Sequence, residues 1–593
     1  MITYRIAIED AHAHLYRVTL TVPKPAREQR LSLPVWIPGS YLVREFARHL
    51  SALTARQGAR ELPLKQLDKA TWLALCPGRG ALKVSCLVYA FDTSVRAAFL
   101  DAHRGFFNGT SLCLRVQGCE SQPHRVELLN VPRGWQVATS LPAVRVDAAG
   151  RGVYQASDYD ELVDHPVEMG RFWRGKFVAS GVPHEFVVAG ALPDFDGARL
   201  LADTRRVCES EIRFWHGATV RRAGTQARLP FERYVFMLNV VEDGHGGLEH
   251  RASTALIASR RDLPQRDKGD TSDGYANLLG LISHEYFHTW NVKRLRPAEF
   301  AAYDYTRENY TELLWFFEGF TSYYDDLFLV RSGLIDEGRY LKLLAKTANA
   351  VAGAPGRRAQ SVAQASFDAW VKYYRSDENT PNATISYYAK GSLVALALDL
   401  TLRSEGQGSL DDVMRLLWVQ SRGGPIAEAD IAAALEAVGK RSYAQEMAAW
   451  VHGTADLPLQ ALLQAVAVQC HVQEATLAQR LGLRVSESAL TGVKVSHVLR
   501  GGVAEQAGLS AGDELLAVEG WRLRRLDEAL RLLSPGRTAP LLVARDQRVL
   551  SLALTLPALG KEGPAAAAGS VSLLASAQPP KAALALRKAW LSG

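Results

Sequence analysis

The chain has 593 residues, enough for about three or four domains that each bury their own core. Hydrophobic residues make up 48% and charged residues 22%, close to globular averages, which excludes pervasive disorder and a fibrous repeat. The net charge of +7 is small for this length and no long basic run is interleaved with aromatics, so nucleic acid is not an expected partner.

The opening stretch, MITYRIAIEDAHAHLYRVTL, alternates polar and apolar residues, with charges where a signal peptide would carry an unbroken apolar core. It reads as a first β-strand. Short alternating segments, such as 82–89 and 125–129, continue between Pro, Gly and Asp turns and predict an N-terminal β-sandwich-like domain over 1–178. No apolar run is long enough to span a membrane. The cysteines, Cys76, Cys86, Cys113, Cys119, Cys208 and Cys470, form no Cys-x-x-Cys pair, which argues against a disulfide framework and against a thiolate zinc site. A reducing cytoplasm is the default location, and export stays open because a leader lost before Met1 would leave no trace.

From about 179 a few strands, including 234–241, give way to helices, predicting a catalytic domain with a helical extension over 179–465. Near the start of the helical part stands His284-Glu285-Tyr286-Phe287-His288. A helix brings positions i and i+4 to one face, so His284 and His288 can share a metal ion while Glu285 reaches the water it activates. Asp273 is the expected N-cap, and Leu279, Ile282, Tyr286 and Trp290 form an apolar stripe away from the two histidines. The helix is expected to run to Lys293-Arg294-Leu295-Arg296-Pro297. Its basic residues read first as complements to the C-terminal dipole and second as a site for a substrate carboxylate.

A hydrolytic zinc needs a third protein ligand and an open position. Glu318 lies in an apolar helical stretch, 314–327, in which its charge stands alone for several residues on either side. A carboxylate in such surroundings must be paired or bound to metal. Residues 470–557 form a separate β-rich unit around a Gly501-Gly502 turn, and 558–593 form an Ala/Pro-rich tail, expected to be poorly ordered apart from a short helix near 582–590.

Four blocks carry a resemblance. They are Trp36-Ile37-Pro38-Gly39-Ser40-Tyr41-Leu42-Val43-Arg44, the stretch from His284 to Pro297, Glu318-Gly319-Phe320-Thr321-x-Tyr323-Tyr324, and Ser386-Tyr387-Tyr388-Ala389-Lys390-Gly391-Ser392. In combination the chain resembles the glycyl-aminopeptidase family of PDZ-containing zinc metallopeptidases, gluzincins of the aminopeptidase N clan, nearly throughout as far as 557. The resemblance implies a multidomain α+β fold: an N-terminal β-domain, a thermolysin-like catalytic domain with a helical extension, and a C-terminal PDZ-like domain. It implies one Zn2+ per chain on His284, His288 and Glu318, with Glu285 as general base. The interval 289–317 is longer than in the wider clan, so Glu318 rests on the Glu-Gly-Phe-Thr match rather than on spacing.

Gly246-Gly247-Leu248-Glu249-His250 resembles the clan's cleft element Gly-x-Met-Glu-Asn, with Leu for Met and His for Asn. This likeness implies that Glu249 binds the substrate's α-ammonium and that Gly246 and Gly247 line the substrate site. Tyr388 precedes Ala389-Lys390-Gly391 as the clan's catalytic tyrosine precedes x-Lys-Gly, which makes it the expected oxyanion donor, with Tyr387 as the fallback. The stretches 501–509 and 512–520 resemble PDZ domains attached to bacterial proteases, which take extended peptides by strand addition. Leu481-Gly482-Leu483 is the candidate carboxylate-binding loop; a module that only packs on its neighbour is the alternative.

The expected function is a zinc aminopeptidase acting on peptides with a free amino terminus and, by resemblance, favouring N-terminal glycine or alanine. One alternative is a thermolysin-like endopeptidase in which Glu249 is structural. The other is a PDZ-mediated scaffold with a degenerate peptidase domain, against which stands the joint presence of His284, Glu285, His288, Glu318 and Tyr388.

Overall fold

A computed structural model describes residues 1–217, 229–558 and 569–593. It comprises two compact units. The first holds Met1–Tyr310, Arg331–Ile335 and Trp418–Ile426; the second holds Thr311–Val330, Asp336–Leu417 and Ala427–Gly593.

In the first unit, Ile2–Asp10 pairs antiparallel with Leu15–Val22 and parallel with His124–Leu129 inside an eight-stranded sheet. Ile2, Tyr4, Ile6 and Ile8 all point inward, the period-two pattern of a strand with one buried face. Two four-stranded sheets complete this β-rich part, whose core includes Tyr16, Trp72, Phe106 and Trp135. A five-stranded sheet follows, in the order Trp173–Ala179, Val182–Ala189, Tyr234–Val241, Ser253–Ser259, His245–Glu249. Its three central strands are mutually parallel. Tyr234–Val241 is accordingly apolar almost throughout, as expected for a strand covered on both faces. His245–Glu249 lies antiparallel at the edge.

The second unit is helical in its first part and then forms a six-stranded sheet built on Leu483–Ser488, Gly492–Val498, Glu514–Val518, Thr538–Arg545 and Arg548–Thr555, with Trp521–Arg522 beside the third of these. Leu483, Val493, Val495, Leu515 and Val543 fill its core. The multidomain α+β architecture with a β-rich N-terminal domain, a helical catalytic domain and a PDZ domain is thus present.

Three local expectations are corrected. The tail is ordered where it is described: Val571–Ala575 pairs antiparallel with Val468–Val472, and Lys581–Ser592 is a helix with Trp590 fully buried. Composition signalled disorder because the few apolar anchors, Leu573 and Trp590, are diluted among small residues; positions 559–568 lie outside the described residues. The helix carrying the two histidines spans Asp273–Phe287, well short of Pro297, and its N-cap is Ser272, whose side chain accepts from the Tyr275 N–H at 3.0 Å. Among the described residues no helix is long and apolar enough to cross a membrane.

Candidate active site

The Asp273–Phe287 helix is held on the sheet side by the predicted stripe, with Leu279, Ile282, Tyr286 and Trp290 all fully buried. Polar anchors fix its rotation. Ser283 Oγ donates to Glu211 at 2.9 Å, Tyr286 Oη donates to His184 Nε2 at 2.9 Å, and Trp290 Nε1 donates to His216 at 2.9 Å. His184 can accept because burial pushes its pKa down to about 4, leaving the ring neutral, while its Nδ1–H points at the Val182 carbonyl.

Beyond the helix the chain turns tightly, and the Asn291 carbonyl accepts from His288 Nδ1 at 2.7 Å. That contact places the ring proton on Nδ1 and turns the Nε2 lone pair toward His284, whose own Nε2 lies 3.0 Å away. His284 and His288 present a pair of imidazoles in the first unit, and Glu318, the third candidate ligand, is a buried carboxylate of the second. Two imidazoles and one carboxylate form the donor set of a catalytic zinc, which leaves a fourth position for substrate or water. The residues fit the metal.

Glu285 faces the edge strand. A Cβ on Gly247 would lie 2.1 Å from Glu285 Oε1, so a larger residue there would push this carboxylate aside. The Gly247 carbonyl accepts from Arg96 at 3.2 Å. Two residues on, Glu249 closes the strand and is 4% exposed. Gly246 and Gly247 are thus part of the strand. Against Glu249 stands Gly39 of the Trp36–Ser40 segment, at a left-handed φ of +93°, where a Cβ would sit 2.5 Å from both carboxylate oxygens.

In the second unit, Glu318 falls at the break between Leu314–Phe317 and Gly319–Arg331 and is 2% exposed. Gly319 packs on Gly391 of the Tyr387–Ser404 helix so closely that a Cβ on Gly319 would lie 2.6 Å from the Gly391 Cα. This contact explains both glycines of the Glu-Gly-Phe-Thr and Lys-Gly blocks, and it brings Tyr388 under the influence of Glu318. Burial first, and then the Glu318 carboxylate, raise the Tyr388 phenol well above its ordinary pKa, so its proton stays on oxygen. Tyr388 is half-buried and its hydroxyl lies 3.5 Å from that of Tyr374, whereas Tyr387 is fully buried.

Sequence reasoning missed Tyr373, whose ring packs on both Tyr387 and Tyr388, stacked 5.4 Å from the latter, and Tyr374, whose ring packs on Tyr373. Only their tyrosine pair marked them. The two readings of the basic run after His288 are replaced by a third. Lys293 pairs with Asp164 at 2.6 Å, Arg294 donates to the carbonyls of Thr289, Arg251 and Pro230, and Arg296 donates to Phe300. In the PDZ module the Gly482 N–H closes the Leu477–Leu481 helix, so the candidate carboxylate loop has one amide already engaged.

Family models match the chain in three places: a Peptidase M61 N-terminal domain over residues 3–171, an M61 glycyl aminopeptidase over 277–394 and a PDZ domain over 494–545. The crystal structure of an aminopeptidase N family protein from Idiomarina loihiensis is 36% identical, covers 100% of both chains and superposes with a TM-score of 0.91. An M1 zinc metallopeptidase from Deinococcus radiodurans aligns over 77% of this chain and 94% of its own, at 15% identity and a TM-score of 0.48. No curated protein matches significantly. Fold and likeness together define a metallo-aminopeptidase. Within that class, the chain belongs to the M61 glycyl aminopeptidase family, with its own N-terminal domain and a PDZ domain.

Proposed function

We propose that the chain is a zinc-dependent aminopeptidase that hydrolyses the first peptide bond of peptides with a small N-terminal residue, using one Zn2+ held by His284, His288 and Glu318. The observation that carries this reading is the edge strand His245–Glu249. It presents Gly247 to the Glu285 carboxylate and, two residues on, ends in the buried carboxylate of Glu249. A peptide whose α-ammonium pairs with Glu249 has its first peptide bond beside Glu285.

Zinc, when bound, supplies Lewis acidity to water and to the scissile carbonyl. Glu285 takes the proton from the attacking water and returns it to the leaving amine. Tyr388 donates its O–H to the developing oxyanion; the raised phenol pKa keeps that proton in place. Glu249 anchors the α-ammonium, and Gly246 and Gly247 leave the strand's backbone open to the substrate. The likeness to glycyl aminopeptidases and the close approach of Gly39 to Glu249 both favour a small first side chain. The module over 470–557 takes an extended peptide by strand addition at Leu483–Ser488, the terminal strand of its sheet.

The test compares wild type with Glu249→Gln on glycyl peptides with free and N-acetylated termini, with zinc per chain measured in each. Wild type is expected to cleave only the free-amine peptide, and Glu249→Gln to lose about 10²-fold in kcat/KM with zinc retained. Equal cleavage of the acetylated peptide by wild type sinks the aminopeptidase reading.

A further inference from the structure

A buried charge cluster in the first unit is centred on Asp164, which follows the short helix Tyr159–Val163 of the N-terminal β-domain. Lys293 Nζ lies 2.6 Å from its Oδ1, His250 Nδ1 lies 3.3 Å from the same atom, and the Arg251 backbone N–H donates to Oδ2 at 3.0 Å. The Arg251 side chain is 3.9 Å from Oδ2. His250 and Lys293 are buried, and the adjoining cavity, lined also by Ile37 and Pro38, is about 10 Å³, barely room for one water. Burial works against this carboxylate, but Lys293, His250 and Arg251 hold it well below the usual carboxylate range.

Each partner belongs to a segment that ends at a proposed site residue. His250 and Arg251 directly follow Glu249. Lys293 closes the turn after His288: its backbone N–H donates to the His288 carbonyl at 3.0 Å, and the Asn291 carbonyl in the same turn orients the His288 ring. Pro38 stands next to Gly39, which lies against Glu249. A lysine buried beyond the end of its helix is thereby explained.

We infer that Asp164 is a positioning residue. One carboxylate of the N-terminal domain fixes the separation between the strand end carrying Glu249 and the turn orienting His288, and so sets where the first peptide bond lies relative to the metal. The inference rests on Glu249 as the amine anchor. A buried ion pair holds its partners rigidly only while both charges are present and paired, and an error of about 1 Å in placing the reacting bond costs up to about 10²-fold in rate.

The test uses the full-length zinc-loaded protein. Asp164→Asn alone would leave the Lys293 charge buried and unpaired, so the decisive variant is Asp164→Asn with Lys293→Met, which cuts the tie without stranding the lysine charge; Arg251, 35% exposed, keeps access to water. It is expected to keep wild-type zinc content and urea midpoint while its kcat/KM on a free-amine glycyl peptide falls at least about tenfold. Asp164→Glu, which keeps the ion pair, is expected to lie between the two. Glu249→Gln is measured alongside. If Glu249→Gln is unimpaired, the amine-anchor reading fails and the proposal with it. If Glu249→Gln is impaired but the double variant is within twofold of wild type, the proposal alone is overturned. A loss of zinc or of midpoint in proportion to the loss of rate also overturns it, since the cluster then acts only as structural support.

Discussion

At the scale of single residues, two glycines decide the geometry around two carboxylates: Gly247 beside Glu285 and Gly39 beside Glu249. Gly39 stands at φ +93°, a conformation that β-carbons strain, and a methyl there would overlap both Glu249 oxygens. Gly39→Ala is expected to displace Glu249 and lower kcat/KM on free-amine peptides by at least about tenfold, with zinc content unchanged. A variant with wild-type kinetics would show that the Trp36–Ser40 turn yields and Glu249 does not. The candidate carboxylate Glu318 was legible in the sequence because an isolated acid in an apolar helix must find a partner. Asp164 was not: its neighbours in sequence are ordinary, and the partners that give it meaning, His250 and Lys293, lie 86 or more positions away.

At the scale of elements, hydrophobic periodicity identified the helix with the two histidines and its buried stripe. Its end was misplaced because Pro297 is a strong breaker in sequence, whereas the chain leaves the helix earlier to form the turn that orients His288. The C-terminal helix was legible only as a possibility of local pattern. Trp590 donates to the Tyr323 hydroxyl at 2.9 Å, Tyr323 donates to Asp399 at 2.6 Å, and Arg403 pairs with Asp399 at 2.9 Å while donating to the Ala589 carbonyl. Tyr323 sits on the helix that begins just after Glu318. Trp590→Ala removes a fully buried indole and its hydrogen bond, and is expected to destabilise the protein by about 3–5 kcal/mol. Urea unfolding followed by circular dichroism measures it; a shift under about 1 kcal/mol would show that the helix is only peripherally docked.

At the scale of the whole molecule, buried histidines couple stability to pH. His184 has its pKa lowered by burial to about 4, so between that value and the ordinary 6.5 the unfolded chain binds a proton that the native chain refuses. Its contribution is therefore complete above about pH 6.5 and is lost as pH falls toward 4, amounting to at most about 3 kcal/mol. The difference in urea midpoint between wild type and His184→Gln is expected to be largest at neutral pH and to shrink across this window. A difference that does not vary with pH would contradict the assignment. Because both proteins share the zinc ligands, any loss of metal at low pH affects both alike.

Sequence alone determined the class of chemistry and the order of the parts, because a helix with two histidines one turn apart, an isolated acid in an apolar stretch and alternating strands are each written within one turn or one strand. It also marked Gly319 and Gly391, though not why they are glycine. Tertiary structure decided what depends on partners far apart in the chain: the glycine contact that sets Tyr388 near Glu318, the approach of Gly39 to Glu249, and the grip of Asp164 on His250 and Lys293. Those contacts carry no local periodicity, since each becomes favourable only when folding has removed the water between its members.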